Sequence, residues 1–184
     1  MAGETGVWSI EGALEYHDFS YKLAKHIGDI LSKDEVVIDF GCGRATLLRY
    51  LHDRGFKKLY GIEGTDFPAF EYGNISVQDL TQPFTKDSIG NSVCLEVGEH
   101  IPQEYTDQFI KNITQNTNKR LILSWAIPGQ AGIGHVNCKH NIWVISRLET
   151  MGFKLNVEDT LEIRQHVDNH TAYFRDTLLI FDKI

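Results

Sequence analysis

Three stretches of the 184-residue chain carry side chains whose types and spacing could do chemistry. The first is Val36 to Leu51, VVIDFGCGRATLLRYL. An apolar run ends in Asp39, Gly41 and Gly43 follow at once, and a helical pattern opens near Ala45. Glycines there let the backbone turn sharply and lie against a ligand with no Cβ in the way. Glu63 closes the next apolar run, 20 residues after Gly43, a spacing that suits a carboxylate accepting both hydroxyls of a ribose. A further acid, Asp79, sits near the end of the following run, in VQDL.

The second constellation is Glu96, Glu99 and His100, joined by His135 from a later GHVN. On a helix, residues 96, 99 and 100 would share one face. Two carboxylates and an imidazole, completed by His135, could then ligate a divalent metal. The plainer alternative is that His100 orders the loop after its strand. That alternative is adopted here, and no metal is assigned. The third stretch is Pro128–His140, PGQAGIGHVNCKH, whose Gly129, Gly132 and Gly134 allow an irregular path. His135 and Asn137 at its end could hydrogen-bond a substrate. An imidazole titrates near neutral pH, so it is suited to removing a proton from an attacking oxygen or nitrogen. His135 and His100 are therefore the candidate catalytic residues.

The elements that must position these groups alternate. Strand-length apolar runs are Glu35–Phe40, Lys58–Glu63, Ile75–Leu80, Ser92–Val97 and Arg120–Trp125, with later candidates at Lys154–Asp159 and Asp176–Ile184. Between them apolar residues recur at helical spacing: Leu23, Ile27 and Ile30; Leu47, Leu48 and Leu51; Tyr105, Phe109 and Ile113; Ile142, Ile145 and Leu148. Strands apolar nearly throughout and separated by helices predict a parallel sheet covered on both faces. Right-handed crossovers make it doubly wound, with ligands at the carboxyl ends of the strands. The last two strands lack a clear helix between them and are expected to pair antiparallel at one side.

Two ligand classes fit a strand, a glycine turn and a ribose acid. Dinucleotide sites usually add a third glycine, where this chain has Thr46, and place a pyrophosphate on the helix N-terminus. Asp39 would be a poor neighbour for that anion and a good one for an ammonium and a sulfonium, which points to S-adenosylmethionine. From about residue 14 to its end the chain resembles the class I S-adenosylmethionine-dependent methyltransferases. Asp39-Phe40-Gly41-Cys42-Gly43 is similar to their first motif. The resemblance implies a seven-stranded α/β sheet with an antiparallel terminal strand, and S-adenosylmethionine as cofactor. It assigns Gly41 and Gly43 to the methionine end, Glu63 to the ribose, and Asp79 and the Leu80 amide to the adenine. Glu96 would lie in the segment that closes over the methionine moiety. The Glu96/Glu99/His100 spacing also resembles that of metal-dependent 2′-O-methyltransferases of RNA termini and of some quinone-biosynthesis O-methyltransferases.

Composition narrows the partners. Lys plus Arg (18) against Asp plus Glu (25) leaves a net charge of −7, with no basic run, which disfavours general affinity for nucleic acid or anionic membranes. No stretch is apolar enough for a membrane span. The N-terminal sequence lacks a basic leader with an apolar core. Cys42, Cys94 and Cys138 form no CxxC pair, so free thiols in a reducing cytoplasm are expected. The expected organisation is one domain over residues 1–184, with residues 1–20 as a lid that could place Trp8, Tyr16 and His17 over the cofactor. The expected activity is methyl transfer to an oxygen or nitrogen of a small molecule. The alternatives are a metal-dependent RNA-terminus 2′-O-methyltransferase and a non-catalytic cofactor-binding subunit.

Overall fold

The computed structural model describes residues 3–86 and 90–184; the first two residues of the expected lid and of the domain lie outside that range. The amphipathic pattern places strands and helices alternately: α1 (Ile10–Tyr16), α2 (Tyr21–Ile30), β1 (Val36–Phe40), α3 (Thr46–Asp53), β2 (Lys58–Glu63), β3 (Ile75–Val77), β4 (Gly90–Cys94), α4 (Thr106–Gln115), β5 (Thr117–Leu123), α5 (Asn141–Glu149), β6 (Phe153–Leu155), α6 (Val157–Ile163), α7 (Phe174–Thr177) and β7 (Leu179–Lys183). The sheet order is β3-β2-β1-β4-β5-β7-β6. The five strands β1 to β5 run parallel, and β7 is antiparallel to both β5 and β6. The crossovers reverse direction between β1 and β4. A doubly wound sheet opens its ligand crevice at such a switch point.

Successive strand residues point to opposite faces, and two cores result. On one face Val37, Leu59, Ile122 and Ile180 pack with Leu23 and Ile27 of α2, Leu48 and Leu51 of α3 and Ile163 of α6. On the other, Ile38, Phe40, Leu121, Leu123 and Phe181 pack with Phe109 and Ile113 of α4 and Leu148 of α5. Asp39 shares Val37's face but sits one residue from the carboxyl end of β1, where the apolar layer stops. Among the described residues no helix is long and apolar enough to cross a membrane.

Several expected strands end differently: Arg120–Trp125 leaves the sheet after Leu123, Asp176–Ile184 enters it only at Leu179, and α6 and α7 lie between the last two strands, where no clear helix was expected. Of Lys154–Asp159 only Lys154 and Leu155 join the sheet, in β6, and Val157–Ile163 is helical. Asn156 explains the switch: its side-chain oxygen accepts the Asp159 N–H at 3.0 Å, and Glu158 and Asp159 lie in the first turn, where negative charge favours a helix. The third strand stops at Val77 because Asp79 Oδ1 takes both the N–H and the hydroxyl of Thr81, each at 2.8 Å, and turns the chain. The fourth begins at Gly90 and leaves the sheet after Cys94.

Replacing the α6 cap by Asn156→Ala should destabilise the protein by about 1 kcal/mol. The fall in melting temperature should be about 2–4 °C for a chain of this size. An unchanged melting curve would mean that packing of Thr160 and Ile163 alone holds that helix.

Candidate functional site

The carboxyl ends of the central strands open onto a cavity of about 540 Å³, within the usual range for small-molecule sites. Asp39, Gly41, Gly43, Glu63, Asp79, Leu80, Glu96, His100 and His135 all line it. Nine residues named from sequence positions up to 96 apart thus meet at one cleft.

The glycine turn forms one wall. Gly41 and Gly43 adopt φ of 69° and 54°, a left-handed backbone that side chains resist. The Gly41 N–H donates to the Ile62 carbonyl at 2.8 Å, which fastens the turn to the end of β2. Glu63 fastens it again: Oε2 accepts the Gly43 N–H at 2.7 Å and Oε1 the Thr65 N–H at 2.9 Å. Each carboxylate oxygen has two acceptor positions, so both keep capacity for a further donor. A Cβ on Gly41 would come within 2.4 Å of Val97, and one on Gly43 within 2.6 Å of His17. Either would collide with a side chain packed against the turn and force it to shift.

Asp39 is buried and makes no side-chain hydrogen bond among the described residues. Burial, reinforced by the neighbouring Glu63 charge, pushes its carboxyl up to about 8. Ligand-free, the site thus keeps a proton that a cationic ligand would displace. At the far end Asp79 is committed to Thr81, and the Leu80 carbonyl accepts from Asn112 Nδ2 at 2.8 Å.

The N-terminal segment lies along the cleft mouth. The Trp8 carbonyl accepts from the Thr65 hydroxyl at 2.9 Å, and the Trp8 ring meets His100 edge-on with centroids 5.2 Å apart. His17 packs on the glycine turn, where burial holds its pKa below the ordinary value.

Beyond β4 the EVGEH segment is a turn, and the single helical face expected for Glu96, Glu99 and His100 does not form. Glu96 takes a left-handed φ of 53°, unusual for a residue with a side chain. Such a conformation costs about 1–3 kcal/mol and persists where surrounding bonds determine it. Here its N–H donates to Ser124 Oγ at 2.7 Å and its Oε2 accepts from Gln130 Nε2 at 2.8 Å. The twist parts Glu96 from His100 and turns Glu99 inward.

Glu99 is fully buried, and neither of its carboxylate oxygens has a hydrogen-bond partner. Burial and the nearby Glu96 charge raise its pKa well above the ordinary value. His100 Nδ1 lies 3.1 Å from the Gly134 carbonyl, and His135 Nδ1 lies 3.3 Å from that of Gln130. A carbonyl only accepts, so both Nδ1 atoms carry the proton and both Nε2 atoms stay free. His135 Nε2 is 4.0 Å from Glu99 Oε1. Ligating atoms of Glu99, His100 and His135 all lie within 4.8 Å of one another. Burial above all lowers His100 to about 4, so it is neutral at physiological pH.

The loop after β5 is fixed over this cluster, because the Val136 and Asn137 N–H groups both donate to the Glu99 carbonyl. Asn137 is not free for a substrate. It is buried, and its side-chain amide donates to Gly98 O, Ile101 O and Thr106 Oγ1. His140 begins α5 and is exposed, outside the cavity. Trp125 is buried, and its indole N–H donates to the Asn137 carbonyl. Gln130 and Ser124, which hold Glu96, had no sequence signal, since nothing in their spacing distinguishes them from ordinary loop residues.

Fold and cleft together define a class: the chain has the Rossmann-like fold of the S-adenosylmethionine-dependent methyltransferases. No family model and no curated protein sequence matches the chain. Solved structures match in fold. Magnesium protoporphyrin IX methyltransferase from Synechocystis PCC 6803, with bound S-adenosylhomocysteine, aligns at TM-score 0.62 and 18% identity over 88% of this chain and 80% of that one. The methyltransferase domain of bacterial CtHen1 aligns at 0.58 and 15% identity, covering 89% and 97%. The [4+2]-cyclase SpnF aligns at 0.63 and 13% identity, covering 88% and 80%. A cyclase beside methyltransferases means that the fold does not choose the activity, and the site must.

In the ligand-free protein the Asp39 carboxyl releases its proton at about 8, against about 3.8 when unfolded. The native state therefore binds the extra proton, and the stability this gives is complete below about pH 4 and lost as pH rises to 8. Asp39→Asn should accordingly match the wild type in melting temperature near pH 4. It should exceed it at pH 8.5 by at least about 3 °C, roughly the effect of 1 kcal/mol at this size. Parallel curves across that range would mean that Asp39 is ionised in the free protein.

Proposed function

We propose that this chain is an S-adenosylmethionine-dependent methyltransferase that methylates an oxygen or nitrogen of a small acceptor, in a reducing cytoplasm. The observation that carries the reading is the glycine cradle braced by Glu63, with Asp39 and Asp79 on either side of it at one cleft. The residues present fit the cofactor. Gly41 and Gly43 let the backbone of the turn come up against a methionine moiety, and Glu63 keeps acceptor capacity for ribose hydroxyls. Asp39 supplies a carboxylate for the ammonium, and Asp79 with the Leu80 amide faces the adenine end. When bound, S-adenosylmethionine supplies an electrophilic methyl on a sulfonium leaving group. The protein's part is alignment, with the acceptor held in line with the breaking C–S bond.

His135 stands on the acceptor side, on the loop after β5. Its Nδ1–H is held by the Gln130 carbonyl, so Nε2 can take the proton the acceptor loses as its new bond to the methyl forms. The segment before residue 21 is read as a lid, with Trp8 and His17 closing over the glycine turn and excluding water. A cavity of about 540 Å³ for cofactor and acceptor together, and a net charge of −7, favour a small molecule over a nucleic acid.

A second reading rests on Glu99. A carboxyl buried this deeply stays protonated unless a positive charge compensates its ionised form. Glu99, His100 and His135 each bring a ligating atom to within 4.8 Å of the others, a donor set of one carboxylate and two imidazoles that fits a divalent cation. A cation held there would lower the pKa of an acceptor hydroxyl. His135 Nε2 serves either as base or as ligand, so the two readings exclude each other.

Glu63→Gln removes an acceptor from one buried N–H as well as from the ribose, and should weaken S-adenosylmethionine binding by about 1–3 kcal/mol in calorimetry. His135→Ala should leave that affinity within about 0.5 kcal/mol and lower turnover by about 10²-fold. Turnover that survives exhaustive chelation makes His135 the base. Turnover lost to chelation and restored by magnesium or manganese makes it a ligand. Undiminished cofactor affinity in Glu63→Gln would remove the cofactor reading of this cleft.

A further inference from the structure

The charges around the cleft are one-sided. Carboxyl groups line it from Asp18, Asp39, Glu63, Glu71, Asp79 and Glu96, against a single fixed cation, Arg44, whose guanidinium lies 3.5 Å from Glu71. No lysine and no other arginine among the described residues lines the cavity. Its other basic side chains are imidazoles, and burial holds those of His17 and His100 below their ordinary value. With Asp39, Glu63 and Asp79 read as cofactor ligands, Asp18 and the side chain of Glu96 are left to the acceptor. Asp18 is exposed between α1 and α2 and makes no hydrogen bond or ion pair among the described residues. Glu96 Oε2 accepts from Gln130 and keeps a second acceptor position, while Oε1 has no partner. Tyr173 comes within reach of both acids from the chain before α7. Burial first, then the charges of Glu96, Asp18 and Glu99, hold its phenol above the ordinary value. Its ring meets that of Phe174 with centroids 4.7 Å apart, and Trp8 and Phe19 add further rings to the lining.

We propose, resting on the methyltransferase reading above with His135 as base, that the acceptor is an arylalkylamine, selected by Asp18 and Glu96 with Tyr173 and Phe174 as its wall. The acids recognise the ammonium form, and the rings take its body by apolar and cation–π contact. Burial raises the Glu96 carboxyl, and an ammonium beside it draws it to the ionised form. The step balances. His135 Nε2 takes one proton from the ammonium, and the freed nitrogen lone pair forms the N–C bond as the C–S bond breaks, its electron pair staying on sulfur. The positive charge passes from the sulfonium to the methylated nitrogen, where carboxylates on the acceptor side stabilise it as it develops. A hydroxyl acceptor would instead develop negative charge there, which the same carboxylates oppose. An acceptor carrying phosphate or carboxylate would meet no unpaired fixed cation in the cleft.

The experiment is calorimetry at pH 7.5 on the full-length protein saturated with S-adenosylhomocysteine. The probes are 2-phenylethylamine, 2-phenylethanol and phenylacetate, each with and without manganese. The amine should bind at least about tenfold tighter than the alcohol, and the carboxylate most weakly of the three. Asp18 is exposed, so Asp18→Asn retains the fold; it should weaken amine binding by about two- to fivefold and leave alcohol binding unchanged. Glu96→Gln, its folding checked by melting temperature, should weaken amine binding about tenfold or more. An amine that binds no tighter than the alcohol, or not at all, would overturn the proposal, as would amine affinity unmoved in both variants. An alcohol or carboxylate that overtakes the amine once manganese is present would overturn it too, and would favour the cation reading of Glu99, His100 and His135. Failure of S-adenosylhomocysteine itself to bind is a separate result, which would remove the methyltransferase reading and this proposal with it.

Discussion

The cleft depends on one buried carboxylate. Glu63 ends β2, yet its two oxygens grip the backbone on either side of the crevice, Gly43 in the turn after β1 and Thr65 in the chain beyond β2. Charge-assisted bonds of this kind are the strong ones, and they act here on a segment with two left-handed glycines, in which only Cys42 has a side chain that packs. The brace adds to the bonds from the Gly41 and Cys42 N–H groups to the Ile62 carbonyl, and it alone reaches Gly43. The same atoms face the cavity, so the group that shapes the cradle is also the group offered to a ligand. Thr65 in turn donates its hydroxyl to the Trp8 carbonyl, which carries the brace on to the N-terminal segment.

A second brace acts on the opposite wall. The strained Glu96 backbone turns Glu99 into the protein, and the Glu99 carbonyl then anchors the loop after β5 through the Val136 and Asn137 N–H groups. Gly134 and Gln130 hold the two imidazoles by their Nδ1 atoms. Loop and turn are therefore one unit, and a change at Glu96 should be felt at His135. Asn137, which from its neighbours looks like a substrate ligand, is the bolt of this unit. Its amide donates to the Ile101 carbonyl and the Thr106 hydroxyl, and at 3.5 Å to the Gly98 carbonyl, tying the turn to the start of α4.

The sheet was legible because its strands are buried on both faces and read as apolar runs, and the lining of the cleft because Asp39, Glu63 and Asp79 each sit near a strand end. Boundaries were less so. KLNVED alternates well enough for a strand, and the Asn156 cap, a local hydrogen bond, turns its second half into the first turn of α6. EVGEH has helical spacing, but the left-handed Glu96 depends on Ser124 and Gln130, 28 and 34 residues away. Spacing cannot report bonds of that range. Tyr173 is illegible for the same reason: 77 residues separate it from Glu96, and the fold alone brings both to the cleft.

The most direct test of the account is a crystal structure of the protein with S-adenosylhomocysteine. The account predicts the ligand in the cleft, its ribose hydroxyls on Glu63 while Gly43 and Thr65 keep their bonds to the same carboxylate. Its amino group should lie toward Asp39, and its sulfur should face the side where His135 stands. A ligand bound elsewhere, or a cleft left empty at saturating ligand with Glu63 holding its backbone partners alone, would contradict it.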